Sequence, residues 1–262
     1  MFLWIFDYPT WEMGALFGLG FMVLSLAGMF LVRPIFHKWI HGQDRTNEMV
    51  SLNIASFSVF YGIMLGLVAV GVYANYSAIG DLVEREASTV AALYSDTSAL
   101  PEPHRTQLLT DLRAYAEETI KKDWPTMAKG IVPQGGTLRI RQFQNDLLAV
   151  HPTVKMDEIA YAEASAQYEK LVELRSNRLV KVRSGIPSLL WSVVVLGAIF
   201  SMAIICMLDM QVNVHAILTA VLSVFLGIVI FLVAEMDRPF RGNVLTTAEA
   251  YQLVFDGLMN QR

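Results

Sequence analysis

MVSLNIASFSVFYGIMLGLVAVGVYANYSAIG, residues 49–80, contains no Asp, Glu, Lys or Arg, and it is too long to be only a membrane crossing. A transmembrane helix needs about 20 apolar residues to cross ~30 Å of hydrocarbon, so 54–74 suffices and the remainder emerges as helix. Past Asn75 the apolar positions Val83, Ala87, Val90 and Tyr94 keep the spacing of a helix with one buried face. Charges begin only at Asp81, Glu84, Arg85 and Glu86, and no proline intervenes before Pro101. This predicts one long rod, starting in lipid and continuing beyond it, around which the rest of the chain is organised.

Composition agrees. Of 262 residues 54% are hydrophobic and 17% charged, against ~45–50% apolar and ~25% charged in ordinary soluble domains, so the chain reads as an integral membrane protein. Net charge is −4, and no basic run is interleaved with aromatics, which argues against a nucleic-acid partner. The lone Cys206 can form no internal disulfide and reads as a packing residue. No Lys or Arg precedes Met13, so the first apolar segment lacks the basic start of a cleavable signal and is expected to stay.

Working outward, span one is predicted over about 13–32, with Trp4, Tyr8 and Trp11 as interfacial aromatics and Gly14 and Gly18 four apart for close helix packing. A polar connection, 33–53, follows. His37 and His41 there have the i, i+4 spacing of metal ligands but lack a recognisable third ligand. The first membrane pair thus occupies 1–80. The polar block 81–185 reads as helical throughout: helices with Leu108, Leu112, Tyr115 and Thr119 on one side, with Ile140, Phe143, Leu147 and Val150, and with Tyr168, Leu171, Leu174, Leu179 and Val182. Trp124-Pro125 is read as a helix stop, and the glycines up to Thr137 as a loop. The second membrane pair occupies 186–234, turning tightly at Asp209-Met210-Gln211. The segment 235–262 is read as a C-terminal amphipathic helix, opened by the capping-box pattern of Thr246 and Glu249 and presenting Tyr251, Val254, Phe255 and Leu258. Four spans put both termini on one side. Arg85, Arg175, Arg178, Lys181, Arg183, Arg238 and Arg241 outnumber Arg33, Lys38 and Arg45, which assigns the block and both termini to the cytoplasm.

No nucleophile elbow, phosphate-binding glycine loop or H-E-x-x-H occurs, so no enzymatic activity and no cofactor is expected. Glu235, Asp237 and Arg238 read as an anchor at a span end. No span carries an acidic or basic residue in its interior, which counts against an ion-coupled carrier. A pore made by several copies, or a membrane-anchored interaction module, remains.

The short motifs Glu84-Arg85-Glu86-Ala87 with Leu93-Tyr94, Asp123-Trp124-Pro125-Thr126-Met127-Ala128, Arg183-Ser184-Gly185-Ile186-Pro187 with Trp191, and Asp237-Arg238-Pro239-Phe240-Arg241-Gly242 resemble the bacterial bestrophin-like membrane proteins, a family of unknown function, from about Ile54 to the C terminus. By its name the family is similar to true bestrophins, pentameric anion channels with four spans, a helical cytosolic body between spans two and three, and a pore lined by span two. The chain departs from them in two places. Their aromatic-rich neck does not map onto span two residue by residue, where Phe60, Met64 and Val68 are the candidate neck, and their acidic calcium clasp is not recognisable.

The expectation is an all-α membrane protein of the bacterial inner membrane. It would be a homo-oligomeric ion channel, a pentamer by analogy, passing inorganic ions along an axis lined by Ser58, Tyr61, Gly62, Gly66 and Asn75, with anions as candidates by the resemblance. The alternatives are a non-conducting scaffold or sensor binding a partner through its cytosolic helices, and a small-solute carrier.

Overall fold

The computed structural model describes residues 9–40, 46–241 and 247–260, the side chains of 36–40 and 46 excepted. All regular structure among them is helical: α1 (Thr10–Ile40), α2 (Thr46–Ser98), α3 (His104–Glu118), α4 (Trp124–Ala128), α5 (Gly135–Leu148), α6 (Lys155–Lys181), α7 (Ser188–Ile205), α8 (Val212–Met236) and α9 (Glu249–Val254). Four of these, α1, α2, α7 and α8, are long and apolar enough to cross a membrane. The expected all-α class with four apolar spans therefore holds. At 1.5 Å per residue the 53 residues of α2 extend ~80 Å, well over twice the hydrocarbon thickness.

The chain divides into two compact units, 1–74 with 185–237, and 75–184 with 238–262. In the first, α1 runs along α8 at close range. A Cβ at Gly14 would stand 3.3 Å from Phe231, one at Gly18 3.4 Å from Ile228, and one at Gly227 only 2.9 Å from the Phe17 carbonyl oxygen. These glycines let two backbones approach where lipid supplies no hydrophobic drive to join helices. The polar ends are pinned: Arg33 Nη2 donates to Met210 O at 2.6 Å, Asn47 Nδ2 to Asp209 O at 2.7 Å, and Asp209 N–H to Asn47 Oδ1 at 2.9 Å.

In the second unit, the apolar stripe of α2 (Ile79, Val83, Ala87, Val90, Leu93) meets Leu108, Leu112 and Tyr115 of α3, Ile140, Phe143 and Leu147 of α5, and Ala164 and Leu171 of α6. Leu108, Leu112, Tyr115, Thr119, Ile140, Phe143, Leu147 and Val150 are buried as expected, as are Leu171 and Val182, while Tyr168, Leu174 and Leu179 are half-buried; Glu117–Lys121 and Glu118–Lys122 pair at 2.7 and 2.9 Å.

Several local expectations are corrected. Helix α1 continues past Pro34 to Ile40, so the polar connection is much shorter than 33–53; a proline costs a helix one hydrogen bond, which a membrane helix tolerates. Span three ends at Ile205, three residues earlier than its uncharged run, and the turn to α8 uses residues 206–211. Trp124-Pro125 does not stop the helix: a π turn, Thr119–Asp123, carries α3 into α4. A proline ring clashes with the carbonyl four residues back, and one widened turn relieves that clash. Gly135 and Gly136 open α5 rather than lying in a loop, because the helix start is pressed against acidic side chains: a Cβ would run into Glu118 at the first position and Asp123 at the second. A second π turn, Phe255–Met259, rotates the last helix so that Met259 is buried and Leu258 exposed. Arg175 and Arg178, counted above among interfacial basic residues, are core residues. The Thr246 capping pattern and the His37–His41 pair lie outside what the structure describes.

Candidate functional site

Over 55–73 the two sides of α2 differ sharply. One side packs: Tyr61 and Leu65 are buried against Val194 and Ala198 of α7 and Ile230 of α8, with Phe57, Met64 and Val68 beside them. Tyr61 Oη donates to Val194 O at 2.9 Å, and its ring occupies the space a side chain at Gly197 would need. The exposed remainder carries a stripe of small residues, Ala55, Ser58, Gly62 and Gly66, beside the bulky and equally exposed Val59, Ile63, Leu67 and Val70. A Cβ at Gly62, Gly66 or Gly71 would meet nothing within 4 Å.

Three of the five predicted lining residues, Ser58, Gly62 and Gly66, share that bare face. Tyr61 instead faces α7. Asn75 is half-buried and its Oδ1 accepts from Lys181 Nζ at 3.5 Å. The candidate neck residues separate too: Phe60 is 74% exposed, while Met64 and Val68 pack with the Tyr61 cluster.

The second unit holds a buried charge cluster. Glu86 of α2 and Arg178 of α6 are both fully buried. Arg178 Nε donates to Glu86 Oε2 at 2.5 Å and Nη2 to Oε1 at 3.0 Å, while Nη1 reaches Met127 Sδ at 3.1 Å. The guanidinium lies 5.1 Å from the Trp124 ring centroid and 5.9 Å from that of Tyr251. Burial works against the Arg178 charge, but Glu86 beside it more than offsets this and raises its pKa further. Tyr115 Oη donates to Glu86 Oε1 at 3.3 Å and shares a 3.4 Å contact with Tyr251 Oη. Burial, then the Glu86 charge, pushes Tyr115 up to about 12 and Tyr251 well above its ordinary value, so both phenols stay neutral. Nearby, Arg175 Nη2 stands 3.6 Å from Asp123 Oδ2, and Gly136 N–H, at the start of α5, donates to Asp123 Oδ1 at 3.4 Å. Burial raises the Asp123 pKa against the opposing pull of Gly136 and Arg175.

The quoted motifs converge on these contacts unevenly. Trp124 is buried, packing on Phe240 and Tyr251 at centroid distances of 6.1 and 5.9 Å, and Pro239 is buried. Glu84, Arg85, Pro125, Arg183, Gly185 and Pro187 are exposed and Arg238 half-buried. Asp237 joins two motifs, accepting from Ile186 N–H at 2.5 Å and Trp191 Nε1–H at 3.3 Å. Within the Glu84-Arg85-Glu86-Ala87 motif, Glu84 and Arg85 face outward and Glu86 carries the contact. The signal lay in spacing: Glu86 falls seven after Ile79 on the apolar stripe, and Arg178 seven after Leu171. A charge set into a buried stripe marks an internal pair.

Among the described residues no group of three or more His, Cys, Asp or Glu could hold a metal ion.

Four apolar helices long enough to span a bilayer, one of them running on into a helical body inserted between the second and third, define an all-helical membrane protein of the bestrophin fold. A bestrophin-like domain model matches residues 19–251, and the chain belongs to that family. Among solved structures, the bacterial bestrophin homolog from Klebsiella pneumoniae aligns with a TM-score of 0.66 at 14% identity, covering 93% of this chain and 99% of that one. An isoleucine-to-threonine variant of it aligns at 0.65 and 13%, over 93% and 99%. A crystal structure described only as a membrane protein aligns at 0.66 and 14%, over 92% and 98%. Curated protein sequences give no match.

Proposed function

We propose that the protein is a homo-oligomeric ion channel of the bacterial inner membrane, with α2 of each copy lining a common axis through Ser58, Gly62 and Gly66. The observation that carries this reading is the bare stripe itself. At Gly62 and Gly66 a side chain would meet nothing within 4 Å among the described residues, and Ala55 and Ser58 in line with them are exposed, while another face of the same helix is committed to α7 and α8. One chain offers too few spans to enclose water, so the stripe is best used by copies arranged around it. A narrow lumen can be built from hydroxyls, backbone and apolar constrictions alone; the candidate neck residue Phe60, two residues from both Ser58 and Gly62, stands ~160° round the helix from the stripe and does not share it. By analogy with true bestrophins the assembly is a pentamer and the permeant ions are anions. Residues 81–185 and both termini are assigned to the cytoplasm; with Arg175 and Arg178 internal, that assignment rests on Arg85, Lys181, Arg183, Arg238 and Arg241.

The test is ion flux in liposomes holding the purified protein, comparing chloride, nitrate, potassium and sodium, with Gly62→Trp reconstituted in parallel. Conductance that Gly62→Trp abolishes without changing the oligomer supports the channel. No flux of any ion from an intact oligomer, or a strictly monomeric protein in lipid, refutes it and leaves the scaffold reading.

A further inference from the structure

A cleft of about 500 Å³ opens between α3 and α5, with Asp111 at its wall and Gln107, Glu118, Lys122, Arg139 and Gln142 around it. Asp111 is only 9% exposed. Its Oδ1 accepts from Gln107 Nε2 at 3.4 Å, but its Oδ2 is fully buried and receives no hydrogen bond. The charged group that acts most on it is a second carboxyl, Asp146 of α5. Asp146 in turn has its Oδ2 held by Gln142 Nε2 at 3.0 Å. Each acid is thus held by a glutamine on its own helix, and Gln142, which holds Asp146, lines the same cleft as Asp111. Two ionised carboxylates so placed would repel across the helix contact, and the Asp111 Oδ2 would stay buried without a donor. One proton between them removes both costs.

We infer that Asp111 and Asp146 form a proton-sharing latch between α3 and α5, closed while a single proton bridges the two carboxyl groups and released when that proton passes to water through the open cleft. The other charged groups bordering the cleft do not supply the missing donor: Lys122 is bonded to Glu118 at 2.9 Å, and Arg139 acts on Asp111 only through its charge. Burial first, then the Asp146 carboxyl, push the Asp111 pKa up to about 6, against the pull of Gln107 and Arg139. A carboxyl whose pKa is raised on folding contributes stability that is fully present below its unfolded value near 3.8 and is lost as pH rises through about 6. The latch is therefore a sensor of mild acidity in the helical unit, and it does not depend on whether the protein conducts.

Infrared titration of the full-length protein in detergent tests it, read together with the melting temperature. A neutral-carboxyl carbonyl band should disappear between about pH 5 and 7.5, be absent from Asp111→Asn and from Asp146→Asn, and persist in Glu118→Gln. Over the same range the melting temperature of the unaltered protein should fall. That of Asp146→Asn, whose amide N–H donates to Asp111 Oδ2 at every pH, should not. The inference is overturned if the band is missing at pH 5, if it survives in either folded aspartate variant, or if Asp146→Asn keeps the full pH-dependent fall in melting temperature.

Discussion

Replacing Glu86 by Leu isolates the energetics of the buried pair. Arg178 would stay fully enclosed, with Nε and Nη2 both deprived of acceptors that now stand at 2.5 and 3.0 Å. Its cation–π contacts with Trp124 and Tyr251 would remain, but such contacts are worth only ~0.5–2 kcal/mol. They cannot replace a counter-ion. Breaking a buried pair from one side costs ~3–5 kcal/mol, and at ~2–4 °C per kcal/mol for a chain of this size the melting temperature should drop by ~6–20 °C. Replacing both partners, Glu86→Leu with Arg178→Met, removes the stranded charge as well as the pair. Buried pairs exchanged for apolar residues of similar volume are often neutral or stabilising by ~1–4 kcal/mol, so the double variant should melt near the parent protein. Thermal unfolding in one detergent, followed by circular dichroism, reads all four members of the cycle. A single variant within ~1 kcal/mol of the parent, or a double variant as unstable as the single, refutes the assignment of Glu86 as the counter-ion that makes the buried arginine tolerable.

Gly136→Ala should destabilise by ~1–3 kcal/mol, because its Cβ would collide with Asp123 and come within 3.0 Å of Arg175 Nη2; Gly20→Ala, where a Cβ meets nothing within 4 Å, should be neutral or gain up to ~1 kcal/mol, and paired melting curves decide. Asp237→Ala removes the acceptor shared by Ile186 N–H and Trp191 Nε1–H and should cost ~1–3 kcal/mol, measured the same way; a change below ~0.5 kcal/mol would show that the clasp is idle. Gly227→Leu should separate α1 from α8, since even a Cβ would stand 2.9 Å from the Phe17 carbonyl oxygen; a cysteine crosslink between those helices formed equally well with and without the substitution would contradict it.

Some of this architecture was legible because lipid is a demanding solvent. A run of 32 residues without a charge, 49–80, has few explanations other than a helix that crosses and continues, and Gly14 and Gly18 announced a close helix partner, which α8 supplies. The turns were less legible. Pro125 and the Gly135-Gly136 pair are breakers by local propensity, yet a π turn absorbs the first and acidic side chains press on the second; both outcomes depend on long-range packing that propensity does not contain. For the candidate site, Ser58, Gly62 and Gly66 could be chosen because small residues four apart share a face. Tyr61 could not be sorted from them, since a phenol suits a polar lumen as well as a hydrogen bond to a neighbouring backbone. Glu86 and Arg178 escaped because charged residues on an extramembrane helix read as solvated unless their seven-residue spacing from Ile79 and Leu171 is weighed.

The seat of Tyr61 over Gly197 makes two positions 136 residues apart a single volume. A methyl added at 197 has no room while the ring is present, and a smaller residue at 61 leaves a gap that only a larger residue at 197 could fill. Substitution at either site alone is penalised, whereas a matched exchange restores both packing and the helix contact. Across descendants of this sequence the pair should therefore drift in step, and a swap of bulk from α2 to α7 would give up the Tyr61 hydrogen bond to Val194 O while leaving the backbone ladder of each helix intact.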